Sequence, residues 1–133
     1  MNNSHKNFII EGSRVHDIAS FYDEINRLFM QEENWQLGQS LDALDDLLYG
    51  GYGALQGAKT ATIIWRNFEK CAIALGHETT RNFYLSKLAQ SSTYNAERIL
   101  RDLEELENGT GPTYFDIVLT IIADHPNITL VKD

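Results

Sequence analysis

Apolar and polar positions along this chain follow two periods, and the change of period separates strands from helices. Three short runs, apolar or rich in β-branched residues, predict strands at residues 7–11, 60–65 and 127–131. Between them, apolar residues recur at helical spacing, with Asp17, Ser40 and Thr113 as natural N-caps. Because strands alternate with helices, the pattern predicts an α/β fold: a small three-stranded parallel sheet packed with helices.

Glycines mark the clearest interruptions. Three glycines within residues 50–53 predict a turn, and residues 108–112 form the strongest break in the chain. A helix from about residue 67 should stop near Gly76, and two further helical stretches at residues 80–89 and 93–107 precede the break. No internal repeat or linker is evident in the 133 residues, so residues 1–133 are expected to form one domain.

The segment from Leu28 to Ala58 contains no lysine or arginine but holds five acidic residues. On a helix beginning after Ser40, the leucines fall on one face, while Asp42 and Asp46 lie on the opposite face about 40° apart. Two like charges at this spacing repel by roughly 0.2–0.5 kcal/mol. This pattern favours a partner that supplies the missing cations.

The overall charge narrows the class of partner. A formal net charge of −8 argues against nucleic acid or an anionic membrane, both of which require a basic surface, and is compatible with a basic protein. The single cysteine, Cys71, cannot form an intramolecular disulfide. The N-terminal residues lack a signal-peptide core, and no apolar run is long enough to span a membrane, so a cytoplasmic location is expected.

No pattern in the sequence indicates an enzyme, a metal or a cofactor. Carboxylates at i,i+4 on a straight helix supply too few oxygens for Ca²⁺. The glycine-rich turn lacks the lysine of a phosphate-binding loop. Cys71 lies on the predicted helix after the second strand and is expected to be a core residue rather than a nucleophile. The four histidines have no metal-ligand spacing: His5, His16, His77 and His125.

Five segments occur here in a characteristic order. They are the opening Ile9-Ile10-Glu11-Gly12, Gly38, Leu41-Asp42-Ala43-Leu44 followed by Asp46, Trp65-Arg66-Asn67-Phe68-Glu69 and the closing Asn127-Ile128-Thr129-Leu130-Val131. Together they resemble the barstar family of intracellular ribonuclease inhibitors. The resemblance covers most of residues 7–76 and about 113–133. Residues 77–112 are expected to form a helical insertion between the second and third strands, with no counterpart in the smallest family members.

The resemblance implies a mode of action. Such inhibitors plug the active site of a basic, secreted ribonuclease with their acidic second helix and the loop before it. By match, Asp46 enters the phosphate-binding site with Asp42 beside it, and residues 36–38 lie over the base and ribose region. The chain departs from the family pattern in three ways: Gln36-Leu37 replaces an aromatic pair, with Trp35 one place earlier; Asp45 replaces an aromatic residue; and the acidic residue of the last helix falls at Thr120, with Asp124 a turn later.

We therefore expect an inhibitor or immunity protein of a toxin–antitoxin pair, monomeric when free, that binds a basic extracellular or toxin ribonuclease. The expected contact residues are Trp35, Gln36, Leu37, Gly38, Ser40, Asp42, Asp45, Asp46, Tyr49 and Asp124. Two assignments stay open: Trp35 as a contact or as a staple that closes the loop onto the core, and Asp45 as a contact or as a solvated residue. Trp65 and Phe68 are expected in the core. The alternative function is a barstar-fold adaptor that binds another protein through residues 77–112.

Overall fold

A parallel three-stranded sheet organises the fold. The computed structural model describes residues 4–133, without the side chains of residues 93 and 94. The first three residues, which belong to the stretch considered above for a signal peptide, lie outside the described residues. Within the described chain three strands form one sheet in the order β1-β2-β3: β1 His5–Glu11, β2 Thr60–Arg66 and β3 Ile128–Lys132. Both pairings are parallel, which confirms the predicted fold class.

Helices fill the chain between the strands. They are α1 Ile18–Phe29, α2 Leu41–Leu48, α3 Phe68–Ala74, α4 His77–Ala89, α5 Thr93–Glu107 and α6 Tyr114–Ala123. The predicted N-caps Asp17, Ser40 and Thr113 are confirmed, because each side chain accepts a hydrogen bond from a backbone N–H three residues later. Short 3-10 turns at Gly12–Arg14 and Gly53–Leu55 follow β1 and α2.

The start of α4 differs from the prediction by three residues, since the helix begins at His77 and not at Thr80. The threonines that weaken the local helix propensity instead satisfy carbonyl groups of the preceding turn. The Thr79 hydroxyl donates to the Ala74 carbonyl (2.6 Å), and the Thr80 hydroxyl donates to the Gly76 carbonyl (2.7 Å). As a result, only a short turn separates α3 from α4.

The core lies on one face of the sheet, where α1 and α6 pack. At its centre, Trp65 is fully buried and its ring contacts those of Phe21, Phe68 and Phe115 at centroid distances of 5.9, 5.7 and 5.4 Å. Cys71 is also fully buried, and this burial raises the pKa of its thiol. These observations confirm the predicted core positions of Trp65, Phe68 and Cys71.

Two glycines are required where the chain turns close to the sheet and to α1. A Cβ atom at Gly12 would clash with the Arg66 carbonyl oxygen, so no other residue fits directly after β1. Gly53 has φ +73°, and a Cβ there would lie 2.8 Å from the Phe29 carbonyl oxygen. Gly53 thereby fixes the turn that follows α2 against the end of α1.

Helices α4 and α5 pack together as a pair that we call the helical hairpin (residues 77–107). Arg81 near the start of α4 pairs with Glu107 at the end of α5 (3.2 Å), so the two helices run antiparallel. The hairpin is held to the start of α6 because the Tyr114 N–H donates to the Thr80 hydroxyl at 2.7 Å. The Phe115 N–H also donates to the Leu75 carbonyl at 3.0 Å, so α6 joins the hairpin to the core.

Candidate functional site

Helix α2 presents two carboxylates to solvent. Its leucines Leu44, Leu47 and Leu48 are buried in the core, which fixes the rotation of the helix about its axis. Asp42 and Asp46, on the other side of the helix, are exposed as their spacing predicts. We call these two residues the acidic face.

The electrostatics of the acidic face are unfavourable within this chain. Asp42 lies in the first turn of α2, where the helix dipole favours a negative charge, but Asp46 lies in the last turn, where the dipole opposes it. Neither carboxylate forms an ion pair within residues 4–133. Repulsion at i,i+4 adds to this cost. An external cation would therefore stabilise the acidic face.

The orientation of Asp46 is set by an aromatic pair. The Tyr52 hydroxyl donates to Asp46 Oδ2 at 3.1 Å, and the Tyr52 ring packs on Trp35 with centroids 4.9 Å apart. Burial, followed by the bond to Asp46 and its negative charge, raises the pKa of Tyr52, so the hydroxyl keeps the proton that it donates. Trp35 closes the loop onto this turn through Tyr52 while 45% of its surface stays exposed, and its contact with a partner stays a prediction.

The loop before α2 is anchored from within. Leu37, expected among the contact residues, is a core residue that is only 7% exposed, so its side chain does not lie on the surface. Its backbone N–H donates to Asn26 Oδ1 (2.8 Å), and its carbonyl accepts from Asn26 Nδ2 (3.2 Å). Gln36 and Gly38 on either side are exposed. Leu37 therefore holds the loop down while residues 34–36 and 38–39 on either side of it are exposed.

The Asp45 side chain contacts a histidine of the same chain. Its Oδ1 lies 2.8 Å from Nε2 of His125, a buried ring in the turn between α6 and β3. The ring of Tyr49 lies edge-on against His125, with centroids 4.6 Å apart, and Tyr49 is 73% exposed. Neither open assignment for Asp45 included this contact, because His125 lies 80 residues away in sequence.

Asp124 lies beside this contact. It is the exposed C-cap residue of α6, next in sequence to His125, so it belongs to the turn that packs on the C-terminal end of α2. Thr120, one turn earlier, is exposed, and its hydroxyl donates to the Asp116 carbonyl at 3.0 Å. Asp124, rather than Thr120, therefore provides an exposed acidic group beside the C-terminal end of α2.

A groove of about 560 Å³ separates the start of α2 from the helical hairpin. Ser40, Leu41 and Asp42 line one side, and Phe83, Lys87 and Arg98 line the other. Sequence reasoning missed the two cations, because nothing in the local pattern shows that residues 87 and 98 come close to α2. The acidic face is therefore bordered by a basic wall.

The described residues hold neither a candidate metal site nor a candidate membrane-spanning helix. In residues 4–133, no three His, Cys, Asp or Glu side chains are grouped so that they could hold a metal ion. Among these residues no helix has both the length and the apolar content needed to cross a membrane.

Comparison with known proteins identifies the family. The family model described as Barstar (barnase inhibitor) matches residues 5–105, which is more than half of the chain. The match contains the loop, the acidic face and Tyr52, and it runs through most of residues 77–112, whose status as an insertion stays a prediction. No curated protein and no solved structure matches. The chain belongs to the barstar family, whose members bind and inhibit ribonucleases and are not enzymes.

Proposed function

We propose that this protein is an inhibitor or immunity protein that occludes the active site of a basic microbial ribonuclease. The acidic face enters the part of the active site that binds phosphates, and the loop at residues 34–40 covers the adjoining region. The observation that carries this proposal is the exposed pair Asp42 and Asp46, neither of which forms an ion pair within the described residues.

The chemistry of the nuclease explains why carboxylates suit this role. An active site that cleaves RNA must hold positive groups spaced for phosphates, and two carboxylates on one helix face offer negative charge at a fixed separation. The Tyr52 hydroxyl restricts the rotamers of Asp46 before binding, which lowers the entropy lost on association. The net charge of −8 adds long-range attraction to a basic partner.

Asp46→Ala tests the proposal. Truncating one member of a buried interfacial charge pair costs about 2–5 kcal/mol, a range to which the barnase–barstar pair itself contributes as a reference case. We expect the Kd for a catalytically inactive barnase-like ribonuclease to rise at least about thirtyfold, measured by surface plasmon resonance. The melting temperature should stay within a few degrees, because Asp46 is exposed.

Asp23→Ala is the matched control. It removes the same charge from an exposed position on α1, outside the candidate surface, and should leave the Kd within about twofold. Equal effects of the two substitutions would reduce the role of Asp46 to net charge alone. Full affinity in Asp46→Ala, combined with loss of binding when the helical hairpin is altered, would favour the adaptor function.

A further inference from the structure

The basic wall beside the acidic face is unexpected in an acidic inhibitor of a basic enzyme. Lys87 on α4 and Arg98 on α5 are exposed, and each lines the groove whose other side holds Asp42. Neither forms an ion pair within the described residues. By contrast, Arg27, Arg66 and Arg81 each pair with a carboxylate of this chain. The two cations at the groove are therefore available to a partner.

Both cations are placed by the fold. The Lys87 ammonium lies 4.9 Å from the centroid of the Phe83 ring, and that ring packs on the fully buried Tyr114 at 5.2 Å. Arg98 projects from α5, which packs against α4 in the hairpin. Because α2 and α4 both pack against α6, the two walls of the groove share one support. The packing of these helices therefore fixes the backbone positions of Lys87 and Arg98 relative to α2.

The position of Lys87 and Arg98 beside the acidic face restricts the charges that a bound nuclease can carry around its active site. A nuclease with only basic groups around its active site would be repelled by Lys87 and Arg98 when the acidic face docks. A nuclease with an acidic side chain at the rim of its basic cleft would be attracted both by the acidic face and by Lys87 and Arg98. The groove is open beside Asp42, so an aspartate or glutamate of the bound nuclease can enter it.

We propose that the groove between α2 and the helical hairpin is a second contact region, which selects ribonucleases that carry an acidic side chain at the rim of the basic active site. Lys87 and Arg98 recognise that side chain. The inference rests on the proposed function, because the nuclease must first be seated on the acidic face. The hairpin then contributes specificity, and the acidic face contributes most of the affinity.

Charge reversal tests this inference because net charge and local recognition predict opposite changes in affinity. R98E and K87E make the protein more acidic, so net-charge attraction alone would strengthen binding to a basic nuclease. Local recognition gives the opposite result, because each reversal places a carboxylate opposite the acidic rim. We expect each variant to raise the Kd by about tenfold, measured by surface plasmon resonance against a panel of catalytically inactive barnase-like ribonucleases and scored on the member that the wild type binds most tightly.

R101E is the matched control. Arg101 is exposed on the same helix, one turn from Arg98, and does not line the groove; its reversal should leave the Kd within about twofold or lower it. R98K keeps the charge and should bind nearly as well as the wild type. Melting temperatures of R98E, K87E and R101E should agree within a few degrees, since all three side chains are exposed.

The possible outcomes separate the two proposals. If R98E and K87E bind as tightly as R101E while Asp46→Ala binds weakly, the second contact region is wrong and the proposed function stands. If R98E and K87E weaken binding but Asp46→Ala does not, both proposals fail, because the nuclease would then sit on the hairpin alone. If the wild type binds no member of the panel, the proposed function falls and the inference falls with it.

Discussion

Three aspartates within two turns of α2 have three different surroundings. Asp42 is exposed beside a groove, Asp45 is held by the buried His125 ring, and Asp46 accepts a hydrogen bond from Tyr52. Asp45 fastens α2 to the turn after α6, whereas Asp42 and Asp46 stay exposed and are the residues that we propose contact a partner.

Glu24 is a buried carboxylate whose role is structural. Its oxygens accept two hydrogen bonds from Arg27 (2.7 and 2.6 Å) and one from the Glu11 N–H (2.8 Å), which ties α1 to the end of β1. Burial alone would raise the pKa of Glu24, but the Arg27 and Glu11 hydrogen bonds and the positive charge of Arg27 outweigh it and lower the pKa. The folded state therefore favours the ionised form.

Replacement of Glu24 should have a pH-dependent effect. Because the folded-state pKa lies below the ordinary value of 4.5, the carboxylate stabilises the fold fully above that value, and this contribution is lost as the pH falls through the folded pKa. We expect Glu24→Gln to lower the free energy of unfolding by about 2 kcal/mol at neutral pH, and the difference from wild type to narrow below about pH 4. Urea denaturation at several pH values measures the free energy of unfolding of both proteins and how their difference changes with pH.

Glu32→Gln serves as the control for this experiment, because Glu32 is exposed in the loop after α1. It should change the free energy of unfolding by less than about 0.5 kcal/mol at any of these pH values. A Glu24→Gln penalty that stays constant or grows on acidification would contradict the ion-pair explanation.

At the scale of elements, α1 positions the loop that precedes α2. Asn26 satisfies both the N–H and the carbonyl of Leu37, and all four groups are buried. Asn26→Ala leaves two buried backbone groups unpaired, so we expect the free energy of unfolding to fall by about 2–4 kcal/mol. Hydrogen exchange in residues 31–39 should accelerate more than exchange in the sheet, because the loop loses its anchor.

Asn34→Ala provides the comparison, since Asn34 lies exposed in the same loop. Its effect on unfolding should remain below about 0.5 kcal/mol. If Asn26→Ala is equally mild, or if exchange accelerates uniformly through the protein, Asn26 does not act as the anchor of this loop.

Most elements could be predicted from the sequence because local rules and tertiary packing agree in them. The β-branched run at Thr60–Arg66 and the caps at Asp17, Ser40 and Thr113 follow directly from propensity and hydrogen-bonding chemistry. The start of α4 could not be predicted, since Thr79 and Thr80 bond to carbonyls of the preceding turn and thus overcome their weak helix propensity.

The candidate site was less predictable, because its contacts join distant segments. The spacing of Asp42 and Asp46 is local and is visible in the sequence. The contact of His125 with Asp45, the placement of Lys87 beside α2 and the burial of Leu37 depend on how α6, the hairpin and α1 pack. No periodic pattern encodes them.

At the scale of the whole molecule, two lysines hold the loops around the sheet. Lys6 donates to the carbonyls of Ala54 and Gln56, and Lys70 donates to three carbonyls between Gly12 and Val15. These two ammonium groups therefore tie the loops after β1 and α2 to the sheet and to α3. We propose that residues 1–133 act as a single domain, because β3 at the end of the chain pairs with the central β2.

The central claim is that the acidic face occupies the active site of a basic ribonuclease, and steady-state kinetics test it most directly. Cleavage of RNA by a barnase-like ribonuclease is measured at increasing concentrations of this protein and of D42N/D46N, which keeps the side-chain shapes and removes both charges. We expect the wild type to raise the apparent KM with kcat unchanged, and the double variant to inhibit at least about a hundredfold more weakly. Equal inhibition by the double variant, or a lower kcat with KM unchanged, would contradict occupation of the active site by the acidic face.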